Sequence, residues 1–321
     1  MVRAPDAPAR ADGAAGARRP EQTRARYPDA TGVVERDGVR IAWERYGDGS
    51  PTILLLPTWS IVHSRHWKGQ IPYLARHFRV VTFDGRGNGR SDRPATAGAY
   101  AGRQFVADAI AVLDASGTDQ AVIAGMSMGA GYALQLAGIH SGRVLGLVLI
   151  GSSVNLTGPD HGPRPDFDAV RDRDEGWAKY NAAYWRRDWR GFAQFFFGQV
   201  YNEPHSTKQI EDMVGWALET DPETMVVLEH DPYIDPPTSF GVAREEPGAL
   251  AFMRRIDHPT LVIHGDQDQI SSPETGRRLA ADLGASLAML AGSGHAPHGR
   301  DPVKVNLLIR DFVRSLESGA R

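Results

Sequence analysis

The sequence predicts an α/β fold: a mostly parallel, doubly wound sheet, with a helical cap inserted late in the chain. Short, largely apolar strand patterns recur at 52–56, 79–83, 121–124, 144–150, 260–264 and 286–290, with helical patterns between most of them. Runs that are apolar throughout suit strands covered on both faces, and alternation with helices implies right-handed crossovers. That rhythm breaks between 153 and 256, where the text is polar, Pro-punctuated and dense in aromatics.

The elements follow in order. Residues 1–27 are rich in Ala, Arg, Pro, Gly and Asp, without an apolar stretch, and read as a disordered leader. Strands at 32–35 and 39–46 flank Asp37-Gly38, a hairpin signal. Helices are expected at 67–77, 100–116, 274–283 and 302–316, and another after residue 129. The core is therefore 28–152 with 257–321, and 153–256 is the cap.

Bulk composition removes several function classes. The 321 residues carry 36 basic and 39 acidic side chains, a net charge of −3, so no basic excess exists to collect phosphates of a nucleic acid. No apolar run reaches membrane-spanning length, and no hydrophobic signal segment opens the chain, so a cytoplasmic location is expected. The absence of cysteine excludes disulfides and thiolate metal sites. No cofactor is implied.

The most informative stretch is Gly125-Met126-Ser127-Met128-Gly129, between a strand pattern and a helix pattern. With 35 glycines in the chain the five-letter pattern alone is weak. Its setting is stronger: strand, tight turn, helix is the layout of a nucleophile elbow, in which the serine hydroxyl projects from the end of the sheet. A serine hydroxyl attacks poorly until a base takes its proton. His295, in Gly294-His295-Ala296-Pro297 after the last predicted strand, is the candidate base. A carboxylate must then fix the imidazole tautomer, and Gly265-Asp266-Gln267-Asp268 offers two. Asp266 can instead bond its own loop backbone, as aspartates in turns do. The tetrahedral intermediate needs N–H donors. The Met128 N–H directly follows the nucleophile. A second donor is expected from Pro57-Thr58-Trp59-Ser60, where Pro57 has none and Trp59 is the candidate.

On these residues the chain resembles the α/β-hydrolase superfamily, in its cap-bearing group of serine esterases, over 32–316. The resemblance rests on the elbow, Asp84-Gly85-Arg86-Gly87-Asn88-Gly89-Arg90-Ser91-Asp92, Gly265-Asp266-Gln267-Asp268 and Gly294-His295. It implies Asp268 as the acid, because the aspartate three residues after the glycine usually serves. One departure is Pro57-Thr58, where relatives commonly carry His-Gly. Serine at 127 also sets the chain apart from relatives that open epoxides or cleave carbon–halogen bonds with a carboxylate nucleophile.

The expected activity is hydrolysis of a carboxylic ester, lactone or thioester of a largely apolar small molecule through an acyl-enzyme. The same acyl-enzyme would serve an acyltransferase or cyclase. Carbon–carbon hydrolysis of a diketone is a third reading, kept by Arg86, Arg90, Arg186, Arg187 and Arg190. A ligand-binding protein on the same scaffold is a fourth. His63 and His66 are three apart, but without a visible third ligand they do not make a metal site. His298 is an alternative base. Most cap aromatics, the Phe195-Phe196-Phe197 run included, are expected to hold the cap together. Asp221, Glu223, Glu229 and Asp231 are expected in solvent.

Overall fold

The computed structural model describes residues 25–152, 154, 166–230 and 255–319. The expected leader up to residue 24, residues 153, 155–165 and 231–254 of the expected cap, Asp231 among them, and residues 320–321 lie outside the described residues.

Eight strands form one sheet in the order β1-β2-β4-β3-β5-β6-β7-β8. β1 (Ala30–Arg36) and β2 (Val39–Tyr46) form an antiparallel hairpin. Asp37 and Gly38 turn it with φ of 53° and 74°, the two positive values that an Asp-Gly turn supplies. β2 runs antiparallel to β4 (Arg79–Phe83). From β4 onward the pairs are parallel: β3 (Thr52–Leu55), β5 (Ala121–Met126), β6 (Val144–Ile150), β7 (Thr260–Gly265) and β8 (Ser286–Leu290). Every residue of β3, β5 and β7 is buried. Successive side chains point to opposite faces, so continuous burial means that both faces are covered. α2 (Gly102–Ala115) packs on α3 (Met128–Ile139). α1 (Ile71–Leu74) packs on the last helix (Pro302–Gly319).

Parallel strands place all their C-terminal ends at one edge. β3 lies between β4 and β5, so the chain's path reverses there, and the loops after β3 and β5 diverge around a crevice. The loops after β3, β5, β7 and β8 therefore meet at one rim.

The helix expected over 67–77 is shorter. A 3₁₀ turn, Ser64–Trp67, precedes the single turn of α1, with Pro72 in its first positions. Proline lacks the N–H that a helix interior needs, so the helix starts beside it instead of running through it.

Between β6 and β7 the described chain is helical: a 3₁₀ turn Gly176–Lys179, then α4 (Ala182–Arg187), α5 (Trp189–Val200), α6 (Thr207–Ala217) and α7 (Pro222–Glu229). Local chemistry sets their starts. The Asn181, Asp188 and Asp221 side chains accept the first free N–H groups of α4, α5 and α7. Among the described residues, no helix is long and apolar enough to cross a membrane.

Candidate active site

Ser127 stands between β5 and α3 with φ 55° and ψ −121°, a backbone conformation strained for any residue with a side chain. Its N–H donates to the Ile150 carbonyl (2.9 Å), and its carbonyl accepts from Ala130 (3.0 Å). Both flanking glycines are required by space. A Cβ on Gly125 would stand 2.1 Å from the Gly129 oxygen, and one on Gly129 would stand 2.5 Å from the Pro57 oxygen. The second approach presses the loop after β3 against the elbow.

The Ser127 hydroxyl lies 2.9 Å from His295 Nε2, and His295 Nδ1 lies 2.8 Å from Asp268 Oδ2. A carboxylate only accepts, so Nδ1 carries the proton and donates. Nε2 is then bare and accepts from the serine. Asp268 is saturated with donors. Its Oδ1 accepts the N–H groups of Ile270 (2.8 Å) and Ser271 (2.9 Å). His264 Nε2 approaches Oδ2 at 3.1 Å. Burial opposes the charge on Asp268, but His295 and the bonds from His264 and His295 outweigh it and hold this carboxyl below its ordinary range.

Asp266, the other carboxylate of this segment, accepts from the Gly292 N–H (2.7 Å) and braces its own loop. His298, the other candidate base, faces away from Ser127: its Nε2 lies 3.3 Å from His66 Nδ1. His63 meets Glu219 (3.3 Å), so His63 and His66 point to different partners. Among the described residues no group of three or more His, Cys, Asp or Glu is placed to hold a metal ion.

Met128 is the first residue of α3, where a backbone N–H has no acceptor inside the helix. Trp59 sits in the loop that abuts Gly129, and its carbonyl closes a turn with Val62 (3.2 Å). Its indole enters the inserted helices, with ring centroids 5.1 Å from Phe196, 6.0 Å from Trp185, 6.1 Å from Tyr180 and 6.3 Å from Phe192. Of the Phe195-Phe196-Phe197 run, Phe196 faces Trp59 and Phe195 faces Trp177 (5.2 Å), while Phe197 is buried.

Four of the five arginines named for a diketone substrate pair with carboxylates. Arg86 forms a buried pair with Asp108 (2.6 and 2.8 Å). Arg90 binds Glu44 (2.6 Å), Arg186 binds Glu223 (2.7 and 3.0 Å) and Arg187 binds Asp174 (2.5 Å). Arg190 is exposed. Of the acids expected in solvent, Asp221 caps α7 and Glu229 accepts from the Tyr180 hydroxyl (2.5 Å).

Two residues of this neighbourhood were absent from the sequence reading. His264 is one. The other is Glu203, whose buried carboxylate accepts the Gly294 N–H (2.5 Å). With the bonds from His295 N–H to the Val200 carbonyl (3.1 Å) and from Asn202 to the Gln267 carbonyl (2.9 Å), residues 200–203 hold both loops that carry Asp268 and His295.

The sequence matches the family described as alpha/beta hydrolase fold over residues 51–302, and the chain belongs to that family. Curated relatives include a 2-hydroxymuconate semialdehyde hydrolase of Pseudomonas sp. (strain CF600). It is 29% identical over 292 residues, covering 88% of this chain and 93% of the relative. A non-heme haloperoxidase of Rhodococcus erythropolis is 28% identical over 294 residues, covering 88% and 99%. Among solved structures, Est816, described as an N-acyl homoserine lactone degrading enzyme, aligns with a TM-score of 0.70 at 27% identity. That alignment covers 88% of this chain and all of the other.

Proposed function

We propose that this chain is a serine hydrolase that cleaves a carboxylic ester, lactone or thioester of a largely apolar small molecule through an acyl-enzyme. One observation carries the reading: the unbroken chain from the Ser127 hydroxyl through His295 to Asp268, at 2.9 and 2.8 Å.

The chemistry follows from that chain. His295 Nε2 takes the Ser127 proton as Oγ attacks the acyl carbon. Asp268 stabilises the resulting imidazolium without itself being protonated. The oxyanion is met by the N–H groups of Met128 and Trp59, each worth about 3 kcal/mol in such a site. The imidazolium then hands its proton to the leaving alkoxide or thiolate. Water repeats the cycle in reverse, releasing the acid and restoring Ser127. No metal or cofactor enters any step. Residues 153–256 act as a cap on the core of 28–152 and 257–321, and the aromatic cluster around Trp59 supplies an apolar wall. The lactone-degrading enzyme among the structural neighbours supports an acyl substrate.

A second reading is hydrolysis of a carbon–carbon bond in a diketone. The relative named for a semialdehyde favours it, because that name specifies no ester. The carboxylate-bound arginines weigh against it. An acceptor alcohol or amine in place of water would make the same acyl-enzyme a transferase, which product analysis with added acceptor detects.

The test is turnover of p-nitrophenyl esters and lactones of graded chain length, beside a diketone panel, by wild type and Ser127→Ala. Ester or lactone turnover that falls about 10⁴-fold or more in the variant is expected. Undiminished turnover by Ser127→Ala, or cleavage of diketones alone, rejects the ester reading.

A further inference from the structure

We propose that His264 is a positioning residue of the Ser127–His295–Asp268 chain: its Nε2–H donates to the same carboxylate oxygen that holds His295 and fixes where that oxygen stands. The inference rests on the functional reading above and extends it to a fourth side chain.

The geometry determines the protonation state. His264 Nε2 lies 3.1 Å from Asp268 Oδ2 and 3.1 Å from the Ser271 carbonyl oxygen. Both neighbours only accept, so Nε2 carries the proton and shares it between them. Nδ1 is then bare, and it is buried without a hydrogen-bond partner. Here one edge of the ring is left unmatched while the other serves Asp268.

The ring has no freedom to leave. The His264 and Asp268 side chains are fully buried, and His295 is 2% exposed. The helix Pro273–Leu283 closes on the imidazole through Gly276, where a Cβ would stand 2.6 Å from His264 Nδ1. The charged group that faces the ring is Asp268 of its own loop, while the helix presents a glycine and the turn presents the Ser271 carbonyl. Two backbone N–H groups anchor Oδ1 of Asp268, which leaves rotation of the carboxylate to be stopped at Oδ2. His264 stops it there. It is tied to the carbonyl of Ser271, the residue whose N–H binds Oδ1, so one turn holds both carboxylate oxygens.

Without that donor, the carboxylate turns and His295 loses control of its tautomer, which slows proton removal from Ser127.

The experiment compares wild type with His264→Gln and His264→Asn. Glutamine places its amide nitrogen where Nε2 was; asparagine places its own where Nδ1 was. The rate of Ser127 modification by a fluorophosphonate is followed against pH, with the adduct located by mass spectrometry. His264→Gln is expected within about threefold of wild type. His264→Asn is expected about 10-fold slower or more at every pH. Equal rates in the two variants, with wild type labelled on Ser127, overturn the role of His264 alone. Wild type that carries no adduct on Ser127 overturns the parent reading with it. ¹⁵N-histidine spectra of wild type give a check independent of variant folding: His264 protonated on Nε2 supports the proposal, and protonation on Nδ1 overturns it.

Discussion

Two pairs of buried histidines lie at the same rim of the sheet, and the protein treats them oppositely. His295 and His264 meet at one carboxylate oxygen of Asp268. The imidazoles of His66 and His298 meet each other (3.3 Å), with the Trp67 ring against both at 4.6 and 5.0 Å. All four are nearly or wholly out of solvent. Burial, then His298 and His63, lower the pKa of His66, and burial with His295 brings His298 down to about 3. Both rings of that pair are neutral packing groups at any ordinary pH. What separates the pairs is compensation: a buried imidazole can carry a positive charge only where an acid stands ready for it. Asp268 stands against His295 and not against His298, although His298 lies three residues from His295.

Removing the acid is the strongest way to break this comparison. Asp268→Asn keeps the shape but offers His295 a group that no longer stabilises the imidazolium, and kcat is expected to fall about 10⁴-fold. A loss under about 10-fold would mean that His295 works without its carboxylate.

The inert pair has its own signature, in stability. A histidine whose folded pKa is depressed binds its proton more readily when unfolded. Its contribution is whole above the unfolded value near 6.5 and is lost as pH falls toward the folded value. Stability against urea is therefore expected to fall below about pH 6.5, by up to ~1.4 kcal/mol per pH unit for each histidine of the pair. Replacing both by leucine should flatten that slope between pH 6.5 and 5. An unchanged slope would assign acid sensitivity to other groups.

The smallest effect is expected on turnover. His298→Asn above pH 7.5 should leave kcat within about threefold of wild type, because His298 touches His66 and not Ser127. A loss near that of Asp268→Asn would join the two pairs into one catalytic network.

How much of this was legible in the sequence depended on the range of the interaction that set each feature. The hairpin at Asp37-Gly38 and the elbow at Gly125–Gly129 are determined by a few adjacent residues, and both are read correctly from them. The choice of Asp268 over Asp266 came from the resemblance; in the structure Asp268 meets His295 and Asp266 meets the Gly292 N–H. His264 was hidden because Val262-Ile263-His264 reads as one buried strand, and period-two patterning reports burial without naming partners. The one available signal was a polar residue closing an apolar run just before the Asp268 loop. Glu203 had no local signal, since its partner Gly294 is 91 residues away. The inserted aromatics were visible as composition, but whether Phe195 or Phe196 meets Trp59 depends on helix phase against a distant loop.

The central claim is that Ser127 is the atom that takes the acyl group. Rapid mixing with p-nitrophenyl acetate, followed by acid quench and peptide mass analysis, tests it most directly. The account predicts a burst of about one equivalent of p-nitrophenol per chain when deacylation is the slower step, with the acetyl group on the peptide that carries Ser127. An acetyl group on any other side chain, or the same turnover from Ser127→Ala, would contradict it.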